Sequence, residues 1–360
     1  MGKKIWIKAN GNGIIATGHI RRCMTLAKEL MDKGAEVLFV LADERSANLL
    51  IELSDAESSS YDSIILHTDY DNPMEDLPIF EGLFEEDAPD FIFVDSYSVT
   101  PEYFSALNEL IKKSGKSIKT GYLDDFGKYD YPVDLIINYD IVYPKDFYSA
   151  GVQLLGAQYA PLRREFGKVR FGINERARRV LISTGGTDPY HVTESILKEI
   201  YEDDSPCRKV LDFTGLRCEV IVGALFEADY KKSLKELAAR HSSITLHEGV
   251  ADMAGLMLKC DFAVSAGGST LYELCAVGVP TVVFSMADNQ VEFVESFDKA
   301  GAAKYAGDVR QDHRLVQKIV TWGTAAVDNP GFRQRMSDKA RSIVDGKGTA
   351  KIADAILGLI

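Results

Sequence analysis

The chain has 360 residues, enough for about two domains of ~150 residues each, and its 46 % apolar and 26 % charged composition excludes disorder. A formal net charge of −13 excludes a nucleic-acid partner, because so acidic a surface repels a phosphate backbone; a small anion held in a local pocket remains compatible. The five cysteines, Cys23, Cys207, Cys218, Cys260 and Cys275, are scattered and form no CxxC pair, which argues against a disulfide framework or a zinc site and suits reduced thiols in a cytoplasmic protein.

The opening MGKKIWIKANGNG alternates like a strand and is not read as a signal peptide. No stretch of about 18 apolar residues is free of charges, so no membrane insertion is expected. KIWIKA is the first predicted strand. A glycine-rich turn follows, then His19, Arg21 and Arg22, and a helix carrying Leu26, Leu30 and Met31 at helical spacing. EVLFVLA, FIFVDS, the strand that ends in GYL before Asp124–Asp125, and DLIINY are the next predicted strands. The rhythm restarts at RRVLISTGG and continues through CEVIVGA, SITLHEG, DFAVSAGG and PTVVFSM, each separated by a helix-like segment. Asp312 to Ile360 reads as helices only. This alternation predicts parallel sheets with helices on both faces. Two such series predict two doubly wound domains, 1–165 and 176–360, divided within the polar, basic stretch Arg163 to Arg178.

In open α/β sheets, ligands sit outside the carboxyl ends of the strands, so the exit loops are the candidate sites. The second domain has two glycine turns, STGGTDP with Gly185 and Gly186, and SAGGSTLYE with Gly267, Gly268 and Ser269. Glycine lets the backbone approach a ligand closely, and a following helix offers free N–H groups and partial positive charge. Both favour a phosphate or diphosphate. Glu273 lies about one helical turn beyond Ser269, where a carboxylate could accept from ribose hydroxyls or simply be solvated.

The run GVADMAGLMLKCDFAVSAGGSTLYELCAVGVPTVVFSMADNQ, Gly249 to Gln290, resembles the nucleotide-binding half of GT-B sugar-nucleotide enzymes. It is similar to the UDP-N-acetylglucosamine transferase family that completes the lipid-linked peptidoglycan precursor. The shared pattern is the DMA segment, a strand ending in Asp261, the glycine/serine turn, a helix with Glu, GVP, a strand and DNQ. The resemblance implies that Val250 to Met253 contact uracil, Glu273 holds ribose, Gly267, Gly268 and Ser269 face the diphosphate, and Asn289 and Gln290 approach the sugar. It also implies a GT-B architecture, with two Rossmann-like domains facing a central cleft.

Toward the N-terminus, TGHIRRCMTLA, FVDSYSV, GYLDDF, DLIINYD, GAQYAPLRREF and LISTGGTDP occur in that order. This series resembles the UDP-2,4-diacetamido-2,4,6-trideoxy-β-L-altropyranose hydrolase family of pseudaminic acid biosynthesis and related spore-coat polysaccharide proteins, over roughly Ile5 to Gln290. The resemblance implies a UDP-sugar substrate cleaved at its anomeric carbon by water, with inversion and with neither metal nor cofactor. His19 would be the general base, kept neutral by the helix N-terminus near Gly18. Gly11 and Gly13 would leave room for the sugar, with Gly18 beside them. Arg22, at the family's arginine position, would reach the diphosphate or a neighbouring carboxylate. Asp95 and Tyr97 would contact the sugar. Asp124 and Asp125 would orient the histidine, bind sugar hydroxyls or cap a turn. The competing reading of His19 is a capping or packed residue.

One departure concerns Tyr272, which stands where hydrolase members have a sugar-contacting asparagine. A tyrosine cannot copy an amide's paired donor and acceptor. Two alternatives remain: an inverting GT-B glycosyltransferase with the same UDP half, and a non-catalytic UDP-sugar binder. A nicotinamide dehydrogenase fails at the third glycine of its fingerprint, since Gly13 to Gly18 spans five residues where three are required. A monomer is expected.

Overall fold

The computed structural model describes residues 2–11, 17–56, 60–143, 146–168, 172–202, 204–207 and 215–360. The chain divides into two compact units, residues 1–163 with 347–360, and residues 164–346.

The first unit is built on seven parallel strands among its described residues. They are β1 (Lys4–Ala9), β2 (Glu36–Leu41), β3 (Asp62–Ile65), β4 (Phe91–Asp95), β5 (Lys119–Leu123), β6 (Leu135–Asn138) and β7 (Val152–Leu155), in the order β3-β2-β1-β4-β5-β6-β7. Strand order reverses between β1 and β4, which pair directly, Ile5 opposite Phe91 and Ala9 opposite Asp95. Residues of β1 alternate between two cores. Ile5, Ile7 and Ala9 join the cluster under α1 (Gly18–Asp32) and α2 (Glu44–Ala56). Trp6 joins the opposite cluster under α3 (Leu77–Asp87) and α4 (Pro101–Ser114). Burial on both faces explains why these strands read as nearly continuous apolar runs. α1 buries Ile20, Cys23, Met24, Ala27 and Leu30, one helical stripe. α4 starts at Pro101, whose missing N–H costs nothing there, and stops at left-handed Gly115.

The second unit opens with the short α5 (Arg164–Lys168). Its six described strands are β8 (Arg179–Ser183), β9 (Arg217–Val222), β10 (Ile244–Glu248), β11 (Phe262–Ala266), β12 (Thr281–Ser285) and β13 (Lys304–Asp308). All pair in parallel, in the order β10-β9-β8-β11-β12-β13, with the reversal between β8 and β11. Its described helices are α6 (Val192–Tyr201), α7 (Ala228–Arg240), α8 (Met253–Leu258), α9 (Ser269–Val277), α10 (Asp288–Lys299), α11 (Leu315–Asp328) and α12 (Pro330–Ile343). No described helix is long and apolar enough to cross a membrane.

Three details differ from the sequence reading. The last helix, α13 (Gly348–Leu359), belongs to the first unit, not to a 176–360 domain. Its Ile352, Ala353 and Ile356 are fully buried in the core under α1, and each isoleucine contributes about 1.5–3 kcal/mol of burial. Asp261 does not end a strand but precedes β11, where its carboxylate accepts the backbone N–H groups of Arg178 and Arg179 and the amide of Asn174. Strands β3, β7 and β13 were not anticipated. They are sheet edges with partly exposed side chains, so no apolar run marks them.

Candidate functional site

His19 is the second residue of α1, at the exit of β1, and is buried. The reversal of strand order sets it beside the exit of β4. Its Nδ1 lies 2.6 Å from Oδ1 of Asp95, the last residue of β4. Asp95 is wholly buried. Burial would push its pKa up, but the Arg22 guanidinium and the His19 ring outweigh that and hold the carboxyl well below the usual carboxylate range. An ionised carboxylate only accepts, so Nδ1 carries the hydrogen, and in the neutral ring the lone pair is then on Nε2.

Arg22 comes one turn after His19 and grips Asp95 as a fork, Nε to Oδ2 at 2.6 Å and Nη2 to Oδ1 at 2.6 Å. The same guanidinium donates to Asp125, Nη1 to Oδ1 at 3.0 Å and Nη2 to Oδ2 at 2.7 Å, and to the Tyr139 hydroxyl at 2.7 Å. Burial weakens its charge, but the two carboxylates more than restore it, so Arg22 stays cationic. Cys23 donates weakly to Asp95 Oδ2 at 3.4 Å. Residues from three strand ends, those of β4, β5 and β6, thus meet on one guanidinium carried by the helix that follows β1.

Tyr97 lies edge-on to the His19 ring, centroids 4.3 Å apart, and against Phe126 at 4.9 Å. Tyr97 and Phe126 are each about half exposed, 53 % and 52 %. Burial, with Asp125 close by, pushes the Tyr97 hydroxyl up to about 12, so it remains a neutral donor. Gly18 is exposed, and a Cβ there would meet nothing within 4 Å. Gly13 lies outside the described residues.

Two expectations change here. Asp95 has no exposed surface for a sugar; it sits beneath His19 as its hydrogen-bond acceptor. The orienting carboxylate is therefore Asp95, not the Asp124–Asp125 pair. Asp124 instead accepts from the N–H groups of Phe126 and Gly127 and from the Tyr148 hydroxyl, closing its own loop. Arg22 is occupied by carboxylates and a phenol, and Asp125 is its second anchor. Phe126 was missed as a site residue, and Tyr139 was read only as part of a strand-exit loop. Only their position at strand exits could have signalled them.

In the second unit, the exits of β8 and β11 flank the strand reversal. Gly185 has φ +86°, and both Gly185 and Gly186 set their carbonyls against Gly223 at the exit of β9. Gly267 is buried. Its N–H donates to Phe284 and a Cβ would run into Val294, so it serves close packing and not a ligand. Gly268 and Ser269 are exposed at the start of α9, where no side chain caps the helix. Glu273 is half-buried one turn on. Asp188 instead caps α6, accepting from Val192 and Thr193 and from the Tyr230 hydroxyl. Val250 and Met253 are half-buried around Asp252, whose carboxylate caps α8 through Gly255. Asn289 is exposed, whereas the Gln290 carbonyl accepts from Met286 N–H and fixes the turn before α10. Tyr272 is buried against Phe293 and Phe297, so its ring is a core element. His191 stacks on Tyr230, and His247 bonds Glu219 at 2.8 Å. Among the described residues, no group of three or more His, Cys, Asp or Glu is placed to hold a metal ion.

No family model matches the chain. The spore coat polysaccharide biosynthesis protein SpsG of Bacillus subtilis is 25 % identical over 201 residues, covering 55 % of this chain and 56 % of that protein. The UDP-N-acetylglucosamine–N-acetylmuramyl-(pentapeptide) pyrophosphoryl-undecaprenol N-acetylglucosamine transferase of Sorangium cellulosum is 28 % identical over 216 residues, 58 % of this chain and 49 % of that one. The pseudaminic acid cytidylyltransferase and UDP-2,4-diacetamido-2,4,6-trideoxy-beta-L-altropyranose hydrolase of Helicobacter pylori is 26 % identical over 219 residues, 60 % and 37 %. The chain spans about half the length of the curated relatives it matches, and less of the last. Among solved structures, MurG of Acinetobacter baumannii superposes with a TM-score of 0.65 at 16 % identity, covering 99 % of each chain. UDP-GlcNAc 2-epimerase of Neisseria meningitidis bound to UDP-GlcNAc gives 0.64 at 14 %, covering 99 % and 100 %. The fold is therefore that of the GT-B glycosyltransferases such as MurG.

Proposed function

We propose that the chain hydrolyses a UDP-activated deoxy-acetamido sugar at its anomeric carbon, with inversion, releasing UDP and free sugar for nonulosonic acid or surface polysaccharide biosynthesis. The observation that carries this reading is the His19–Asp95 contact, which leaves a basic lone pair on Nε2. Water on the face of C1 opposite the diphosphate gives its proton to Nε2. Its oxygen bonds to C1, the C1–O bond to phosphate breaks, and UDP leaves with the electron pair. The imidazolium forms beside the Asp95 carboxylate and returns its proton to solvent. Tyr97, half exposed over the ring, contacts the sugar.

The second unit takes the UDP in this reading. Ser269 offers its N–H at the α9 N-terminus to the diphosphate and Gly268, whose own N–H donates to Ala266, leaves the approach open, with Gly185 and Gly186 across the strand reversal. Glu273 accepts from ribose, Val250 and Met253 flank the uracil, and Asn289 approaches the sugar. No metal or organic cofactor enters the reaction. One of the two activities in the name of the Helicobacter pylori relative is that of a UDP-sugar hydrolase, which supports hydrolysis. The thiols of all five cysteines are free and buried, which suits the cytoplasm.

The Sorangium cellulosum relative favours a second reading, an inverting glycosyltransferase in which the same histidine deprotonates an acceptor hydroxyl. One experiment separates the two. The protein is incubated with a panel of UDP-activated deoxy-acetamido sugars in water enriched with heavy oxygen. Hydrolysis gives turnover without an acceptor and label on the anomeric hydroxyl, none in UDP, with the inverted anomer formed first. Label in UDP means attack at phosphorus and overturns the proposal. Turnover only on adding a second sugar or a lipid favours transfer.

A further inference from the structure

We propose that Arg22 is a positioning residue: it cancels the charge of the carboxylate that orients His19, so that the ring is held in place by Asp95 without being captured as an imidazolium. The inference rests on the reading of His19 as the base. A buried carboxylate alone would do two things to a neighbouring imidazole. It would fix the ring through Nδ1–H, and it would stabilise the protonated ring, which cannot act as a base. The geometry provides for the first and offsets the second. Asp95 Oδ1 lies 2.6 Å from Nδ1, and Arg22 Nη2 lies 3.1 Å from the same Nδ1. Since Nδ1 already carries a hydrogen, that second approach is no hydrogen bond. It is a positive group held against the ring because both share one oxygen of Asp95.

The charged and titratable groups around the ring account for the balance. From α1 come Arg22 and the thiol of Cys23. From the exit of β4 come Asp95 and the Tyr97 phenol, from that of β5 Asp125, and from that of β6 the Tyr139 phenol. Asp95 and Arg22 form the pair that meets Nδ1. Asp125 and Tyr139 hold the far side of the guanidinium, so Arg22 cannot swing away toward a ligand. Lysine could supply the charge but not the fork that spans two carboxylates and a phenol.

The test uses Arg22→Gln, which removes the charge, with Arg22→Lys as the variant that keeps the charge but not the fork. Two measurements are made on the full chain. With a UDP-sugar substrate, Arg22→Gln is expected to lower kcat by about 10–100-fold with KM and UDP affinity within about 3-fold, and Arg22→Lys to act in the same direction but less. The acid limb of the Arg22→Gln rate profile should move to higher pH. Independently of turnover, nitrogen NMR on histidine-labelled protein reads the ring itself, His19 being assigned by the signal lost in His19→Asn. The wild type should show an Nδ1–H imidazole, the imidazolium should persist to higher pH in Arg22→Gln than in the wild type, and Arg22→Lys should return the ring toward the wild type. An unchanged ring titration in folded Arg22→Gln overturns the proposal. So does a loss of UDP affinity by 10-fold or more with kcat unchanged, which would make Arg22 a diphosphate ligand. If no UDP-sugar turns over, the hydrolase reading falls while the NMR arm still decides this one.

Discussion

Asp95 and His19, 76 residues apart in sequence, meet at 2.6 Å with both side chains nearly or wholly buried, and the carboxylate decides which ring nitrogen is basic. The first prediction tests that relationship. Asp95→Asn places an amide that can donate to Nδ1, which favours the Nε2–H tautomer and removes the lone pair from the reacting side. Turnover should fall roughly 10²–10⁴-fold, and His19→Asn should fall by at least about 10²-fold. Both variants should bind UDP as the wild type does. Retention of most turnover in either would remove the pair from the chemistry.

The same carboxylate has a stability signature. Asp95 is held well below its ordinary value by Arg22 and His19 against the cost of burial. Its contribution is therefore fully present above the unfolded value, ~3.9, and is lost as pH falls from there through the lower folded value. In urea titrations, the gap in midpoint between wild type and Asp95→Asn should narrow as pH drops below about 4. A gap that stays constant down to pH 2 would mean that Asp95 is not ionised in the fold.

Removal of Glu273 should harm binding more than chemistry. Glu273→Ala is expected to weaken UDP binding by about 1–3 kcal/mol through lost hydrogen bonds to ribose, as read by calorimetry. Unchanged affinity would show the nucleotide half to be misassigned.

Chelation should leave activity intact. The glycine turns and the α9 N-terminus can offset diphosphate charge without a cation. Loss of turnover in excess chelator, restored by magnesium or manganese, would refute this.

The last helix gives a fold prediction. Ile356→Ala should cost about 2–5 kcal/mol, because Ile356 is fully buried in the core under α1. Amide exchange should speed up in β1 and α1 while β8 and β11 keep their protection. Equal loosening of both units would place α13 elsewhere.

Much of the fold was legible because central strands are covered on both faces. KIWIKA, EVLFVLA, FIFVDS and DFAVSAGG show it as unbroken apolar runs ending in polar loops. The edge strands β3, β7 and β13 lacked that mark. So did the attachment of α13, whose apolar stripe carries no label for its partner. His19 was legible from a motif, and Gly268 and Ser269 from a turn followed by a helix. Gly267 and Gln290 looked equally available in sequence, yet one is packed against α10 and the other holds a backbone N–H.

Residue types and spacing by themselves determined two parallel α/β sheets, where the strands with unbroken apolar runs lie, and which loops carry polar chemistry, because those depend on local periodicity and turn propensity. Only the tertiary structure decided which loops meet. Pairing of β1 with β4 at the strand reversal brings Asp95 under His19, and the adjacent exits of β5 and β6 bring Asp125 and Tyr139 onto Arg22. A carboxylate's role follows from burial and neighbours, which non-local pairing sets. That is why Asp95 became the partner of the histidine and Arg22 the partner of carboxylates.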